Sequence, residues 1–211
     1  MPPRLIERLR RRQQAAVATP EVGQEGIDRP AQCDWAWRPA PWAAGMTPST
    51  IDHVAPGTRL GVGVALHHDC DHADLSLSQA AGDVPHAITL RVGAFDGSFL
   101  SLALDLPADG AMTLRRHHVV ILTLRMLVPH PGPMFARLNI RQGPNVDQLV
   151  TGVAPSVDPT TPVLAEFDLG FLHVKPARLE GAWVDLTFDP RGDTSIRIED
   201  LTVTRRPRAD L

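Results

Sequence analysis

Period-two alternation of apolar and polar residues constrains this chain more than any other feature. In GAWVDLTFDPRGDTSIRIEDLTVTRR, residues 181–206, Ala182, Val184, Leu186 and Phe188 fall on one side of an extended backbone. Trp183, Asp185 and Thr187 fall on the other. Successive side chains of a strand point to opposite faces, so such a run is dry on one face and wet on the other. The pattern recurs in Leu100, Leu102, Leu104 and Leu106, in Val120, Leu122, Leu124, Met126 and Val128, in Ala136, Leu138 and Ile140, and in Ala165, Phe167, Leu169 and Phe171. It predicts about ten strands, at 58–67, 72–79, 86–94, 98–106, 115–128, 134–142, 147–153, 163–172, 181–188 and 194–205. Ile196 and Ile198 are out of phase with Leu201 and Val203, which predicts a bulge near Asp200. No fixed-period repeat and no helical period between strands occurs, so the expected class is mainly β. The expected architecture is an antiparallel, jelly-roll-like β-sandwich with a short N-terminal helix.

Composition bounds the rest. The 211 residues suffice for one large core, and 43% apolar with 21% charged residues is ordinary for a globular domain. A formal net charge of −3 supplies no basic excess, so nucleic acid is not an expected partner. Cys33 and Cys70 cannot build a disulfide framework. No apolar leader and no run of roughly 20 apolar residues occurs, so a cytoplasmic protein with reduced thiols is expected. Three regions follow. Residues 1–32 are a basic helix and linker, 33–48 a Trp/Pro-rich strap packed on the sandwich, and 49–211 the sandwich. In the helix, 4–17, Leu5, Ile6, Leu9 and Val17 form a thin apolar stripe beside Arg4, Arg8, Arg10, Arg11 and Arg12. That pattern suits docking on a protein partner or an anionic membrane surface. In the strap, Trp35, Trp37 and Trp42 bring large buried area to a segment that Pro39, Pro41 and Pro48 keep irregular.

Two clusters carry candidate chemistry. The better one is the wet face of two strands, with Arg137, Asn139 and Arg141 on one and Trp183 and Asp185 on the other. If the strands are neighbours, that face joins an aromatic plane to guanidinium, amide and carboxylate groups, the mixture that binds a glycan or another polar ligand. The other is His67-His68-Asp69-Cys70-Asp71-His72, where His68, Cys70 and His72 share one face and could ligate zinc or iron. In a straight strand those three span roughly 13 Å, too far for one ion. His117 and His118 read as a solvated strand entry. No G-x-S-x-G, no Cys–His signature and no phosphate loop is present. The expectation is a non-catalytic ligand-binding module. The alternatives are an assembly protein docking through residues 4–17 and a metal-dependent jelly-roll enzyme.

CDWAWRPAPW (33–42), FDGSFLSLALDLP (95–107), FARLNIRQGPN (135–145), AWVDLTFDP and IRIEDLTVTRRPRADL together resemble an uncharacterised bacterial domain family without an assigned function. The resemblance covers most of residues 33–211. More loosely, the closing strands resemble those of jelly-roll carbohydrate-binding modules and galactose-binding-like domains. That likeness implies a fold, not a ligand.

Overall fold

The computed structural model describes residues 23–129, 132–155, 160–189 and 193–209. The expected helix 4–17 lies outside them. The described chain runs β1 (Trp35–Trp37), α1 (Ala40–Ala43), β2 (Thr50–Ile51), β3 (Thr58–Gly61), β4 (Val64–His68), β5 (Ala73–Gln79), β6 (Ile88–Phe95), β7 (Leu100–Asp105), α2 (Ala108–Ala111), β8 (His118–Leu127), β9 (Met134–Gln142), β10 (Asn145–Val153), β11 (Val163–Asp168), β12 (Leu179–Phe188) and β13 (Thr194–Pro207). The strands form two antiparallel sheets. Sheet I has the order β11-β8-β13-β6-β5-β2, with β1 paired to β13 off that path, and sheet II the order β10-β9-β12-β7-β4-β3. The dry faces read from the sequence meet between them: Leu102, Leu138, Leu122 and Val184 are all buried in one cluster. Among the described residues no helix is long and apolar enough to cross a membrane.

Several expectations change in detail. The single strand expected over 58–67 is a hairpin of β3 and β4. Gly63 turns it with φ +68°, and a Cβ there would press on the Asp105 carbonyl. The run Ala165–Phe171 does not stay on one face. The Asp168 carboxylate accepts from the Gly170 N–H at 2.8 Å and caps a 3₁₀ turn over Leu169–Phe171, which leaves Phe171 80% exposed. His118 is not solvated. It is buried, with Nδ1 accepting from the Arg115 N–H at 3.1 Å, while His117 is exposed. Burial, reinforced by the nearby Arg205 guanidinium, lowers the His118 pKa to about 4.

The register of β13 against β8 shifts between Ile198 and Asp200, as the phase break in the sequence requires. The shift lets Ile196, Ile198, Leu201 and Val203 all reach the core and turns Asp200 toward Arg38. Arg38 is 1% exposed and makes a two-pronged pair with Asp200 at 2.8 and 3.0 Å. Its remaining Nη1 donates to the carbonyls of Gly23 and Glu25. Nearby, the fully buried Trp42 donates Nε1–H to the Ile198 carbonyl at 3.2 Å. Residues 33–48 thus add a strand to sheet I and a helical turn that packs against both β13 and β3.

Candidate functional site

The outer face of sheet II carries a groove of about 820 Å³. Strand order and register explain it. Reading across the strands, one row holds Gln148, Asn139, Trp183 and Asp105. The next holds Val150, Arg137, Asp185 and Ala103, and the one after it Phe135, Thr187, Ser101 and His67. Small side chains at Ala103 and Ser101 keep the middle low, while Trp183, Phe135, Phe99 and Arg141 rise around them. A concavity on a sheet face needs no more than this contrast in side-chain size.

Four of the five residues picked out on the wet face line that groove: Arg137, Arg141, Trp183 and Asp185. The fifth, Asn139, lies beneath it, 1% exposed. Its Nδ2 donates to Asp185 Oδ2 at 2.9 Å and its Oδ1 accepts from Gln148 Nε2 at 2.9 Å. Arg137 Nε and Nη2 converge on the same Asp185 oxygen, at 3.2 and 3.0 Å. A relay across β10, β9 and β12 therefore holds one oxygen of Asp185. The other oxygen accepts from no donor among the described residues and is available to a ligand hydroxyl. The Arg141 guanidinium lies over the half-buried Trp183 ring, Cζ 5.5 Å from its centroid. That cation–π contact sets the ring and a set of donors side by side.

Sequence reasoning missed Phe99, Ser101 and Phe135, although each stands in the wet phase of a strand whose dry phase it recognised, and it read His67 only as part of the histidine-rich run. Phe99 is 38% and Phe135 39% exposed. Ser101 is 8% exposed, and its Oγ, buried at the groove floor, has no hydrogen-bond partner among the described residues.

The His67–His72 segment does something other than gather ligands. Among the described residues no group of three His, Cys, Asp or Glu side chains is placed to hold a metal ion. His68 is buried, Nε2 facing the Val54 carbonyl at 3.0 Å and Nδ1 accepting from the Cys70 N–H at 3.3 Å. Both ring nitrogens are thus engaged within the protein. His72 stands exposed beside Asp96, Nδ1 to Oδ2 3.3 Å. Cys70 Sγ accepts from the Gly97 N–H at 3.2 Å, and burial raises its thiol pKa. Asp69 accepts from Ser98 Oγ at 2.5 Å, from Ser98 N at 2.7 Å and from Phe99 N at 3.1 Å. Those bonds, the Ser98 hydroxyl first, hold its carboxyl below the usual value. The segment is a clasp for the 96–99 turn, and so it fixes the backbone of Phe99 at the groove rim.

A family model described as a family of unknown function (DUF6478) matches residues 3–211, and the chain belongs to that family. No curated protein matches it. Three solved structures are similar in fold. The family 11 carbohydrate-binding module from Clostridium thermocellum in complex with a β-1,3-1,4-mixed-linked tetrasaccharide is 8% identical over 74% of this chain and 96% of that one, with a TM-score of 0.43. The family 11 module of the cellulosomal cellulase Lic26A-Cel5E of Clostridium thermocellum is 7% identical over 75% and 96%, with a TM-score of 0.44. The enzymatically active domain of bacteriophage CBA120 tailspike protein 4 is 8% identical with a TM-score of 0.43; the match covers 69% of this chain and only 19% of the tailspike domain. Likenesses at these scores say nothing about what this chain binds.

Proposed function

Membership of a family of unknown function leaves the reading to the site, and we propose that the chain is a non-catalytic, glycan-binding module. One observation carries this. Arg137, Arg141, Trp183 and Asp185 come from two strands far apart in sequence, yet they line a single groove on one sheet face. Sugars offer apolar ring faces and hydroxyl groups. Trp183 supplies a surface for the former, and the Arg137–Asp185 pair supplies donors and an acceptor for the latter. Asn139 acts as a positioning residue, holding Asp185 from below. The alternation of strands between the sheets over β6–β9 and again over β10–β13, with β12 and β13 inside opposite layers, supports a jelly-roll-like winding behind the groove.

A glycan array probed with the wild-type chain and with Trp183→Ala tests the reading. Binding to a glycan class by the wild type, lost in Trp183→Ala while circular dichroism stays unchanged, is the expected result. No binding above background, or equal binding by both proteins, would overturn it.

A further inference from the structure

From the shape and chemistry of the same groove, and resting on the glycan-binding reading, we infer that the ligand is an extended, uncharged oligosaccharide chain lying along β7 and β12 from Trp183 to a second aromatic subsite at Phe99 and Phe135, with Ser101 between.

The register sets the distances. Trp183 stands opposite Asn139 and Phe135 opposite Thr187, four residues along β9 and β12. At the usual rise this separates the two aromatic rows by about 13 Å, and the Phe99 position lies two residues further along β7, at about 20 Å. A single sugar ring cannot touch both ends. A chain can, because the strands themselves set the direction of the trough. Phe99 and Phe135 are both more than a third exposed on the outer face of a folded domain. Rings held out of the core beside a groove offer stacking faces at no cost in core packing.

Ser101 points the same way. Its hydroxyl is buried at the groove floor, between the Trp183 and Phe99 positions, with no partner among the described residues. A polar group in that state costs free energy in the unliganded protein, and a ligand hydroxyl that reaches it removes the cost. Charge selects within the class. Arg137 is tied to Asp185, which leaves Arg141 as the free cation against the unpaired carboxylates of Asp105 and Glu180 among the described lining residues. An acidic polysaccharide meets more repulsion than attraction there, whereas neutral hydroxyls can donate to both carboxylates.

The test is a titration of the full chain with cello-, xylo-, manno- and galacto-oligosaccharides of one to six units, and with oligogalacturonate as a charged series. For the neutral series that binds, affinity rises with length and levels off once both aromatic ends are covered. Phe99→Ala and Phe135→Ala each weaken the hexamer roughly tenfold and leave the shortest binding ligand unchanged, whereas Trp183→Ala weakens every length. Ser101→Ala leaves the melting temperature unchanged or raised, because it removes an unpartnered hydroxyl, and weakens the longer chains about fivefold. Trp183-dependent binding with no dependence on length, wild-type affinity of both Phe variants for the hexamer, or preference for the charged series would overturn the inference and leave the binding reading standing. No binding by any series would sink both.

Discussion

Asn139→Asp is the sharpest test of how the groove is built. The change is nearly isosteric, so packing is conserved, but it puts an oxygen where Nδ2 now donates to Asp185 Oδ2 at 2.9 Å. Two ionised carboxylates at that distance repel by about 6 kcal/mol at an effective dielectric constant of about 20. The folded protein avoids part of this by keeping one proton on the pair. Holding a carboxyl of ordinary pKa, about 3.9, protonated at pH 7 costs about 4 kcal/mol, which sets the ceiling on the loss. Because the folded state then binds more protons than the unfolded one, stability falls as pH rises, by about 1.4 kcal/mol per pH unit between pH 4 and pH 7. In a domain of this size the loss at pH 7 corresponds to a fall in melting temperature of roughly 12 °C, vanishing near pH 4. The assay is the melting temperature of wild type and variant at half-unit pH steps from 4 to 8. A loss of equal size at pH 4.5 and pH 7.5, or no loss at pH 7, would refute the donor–acceptor relay beneath the groove.

Three further outcomes follow from features outside the groove. Arg38→Met strands a mostly buried Asp200 carboxylate and should cost about 3–5 kcal/mol in urea denaturation; Asp200→Asn added to Arg38→Met should recover part of that, and strict additivity of the two would contradict the pairing. The buried His118, with its pKa lowered to about 4, resists protonation when folded, so it makes stability fall as pH drops from about 6.5 to about 4, by up to about 3 kcal/mol. The difference in stability between wild type and His118→Gln, measured across that window, should show this slope, and a flat difference would disprove it. Gly110→Ala drives a methyl into the Trp35 indole, which the Asp109 carboxylate holds by its Nε1–H at 3.1 Å, and should lower the melting temperature; an unchanged value would show that the ring can step aside.

Alternation made most of this legible. A strand with one dry face declares both its identity and its orientation, so β9, β12 and β13 stood out from their residues alone, and the phase slip at Ile198–Leu201 announced its own bulge. The wet residues of β9 and β12 could be grouped as one face, but only pairing could say that Arg137 sits opposite Asp185. What stayed hidden has a common cause. Groove depth depends on which strands flank β12, and β7 reaches it only through long-range register, so Ala103 and Ser101 carried no local signal as a floor. Phe99 and Phe135 fall in the wet phase of their strands, but a lone exposed apolar ring is ordinary on a surface and carries no signal of a groove. His118 looked solvated because its burial comes from distant segments: Asp34 lies 3.6 Å from its Nε2, and Arg205 joins that same carboxylate. The histidine-rich run resembled a ligand set because composition alone cannot distinguish a metal site from a turn clasp.

The clasp between Arg38, Gly23 and Asp200 gives the molecule a direction. It anchors Gly23 beside β1 and β13, in the sheet that lies behind the groove-bearing one. The first described residue is therefore fastened to the layer that does not carry the groove. Loosening that clasp and altering the groove act on different layers of the sandwich, so their effects on stability should add.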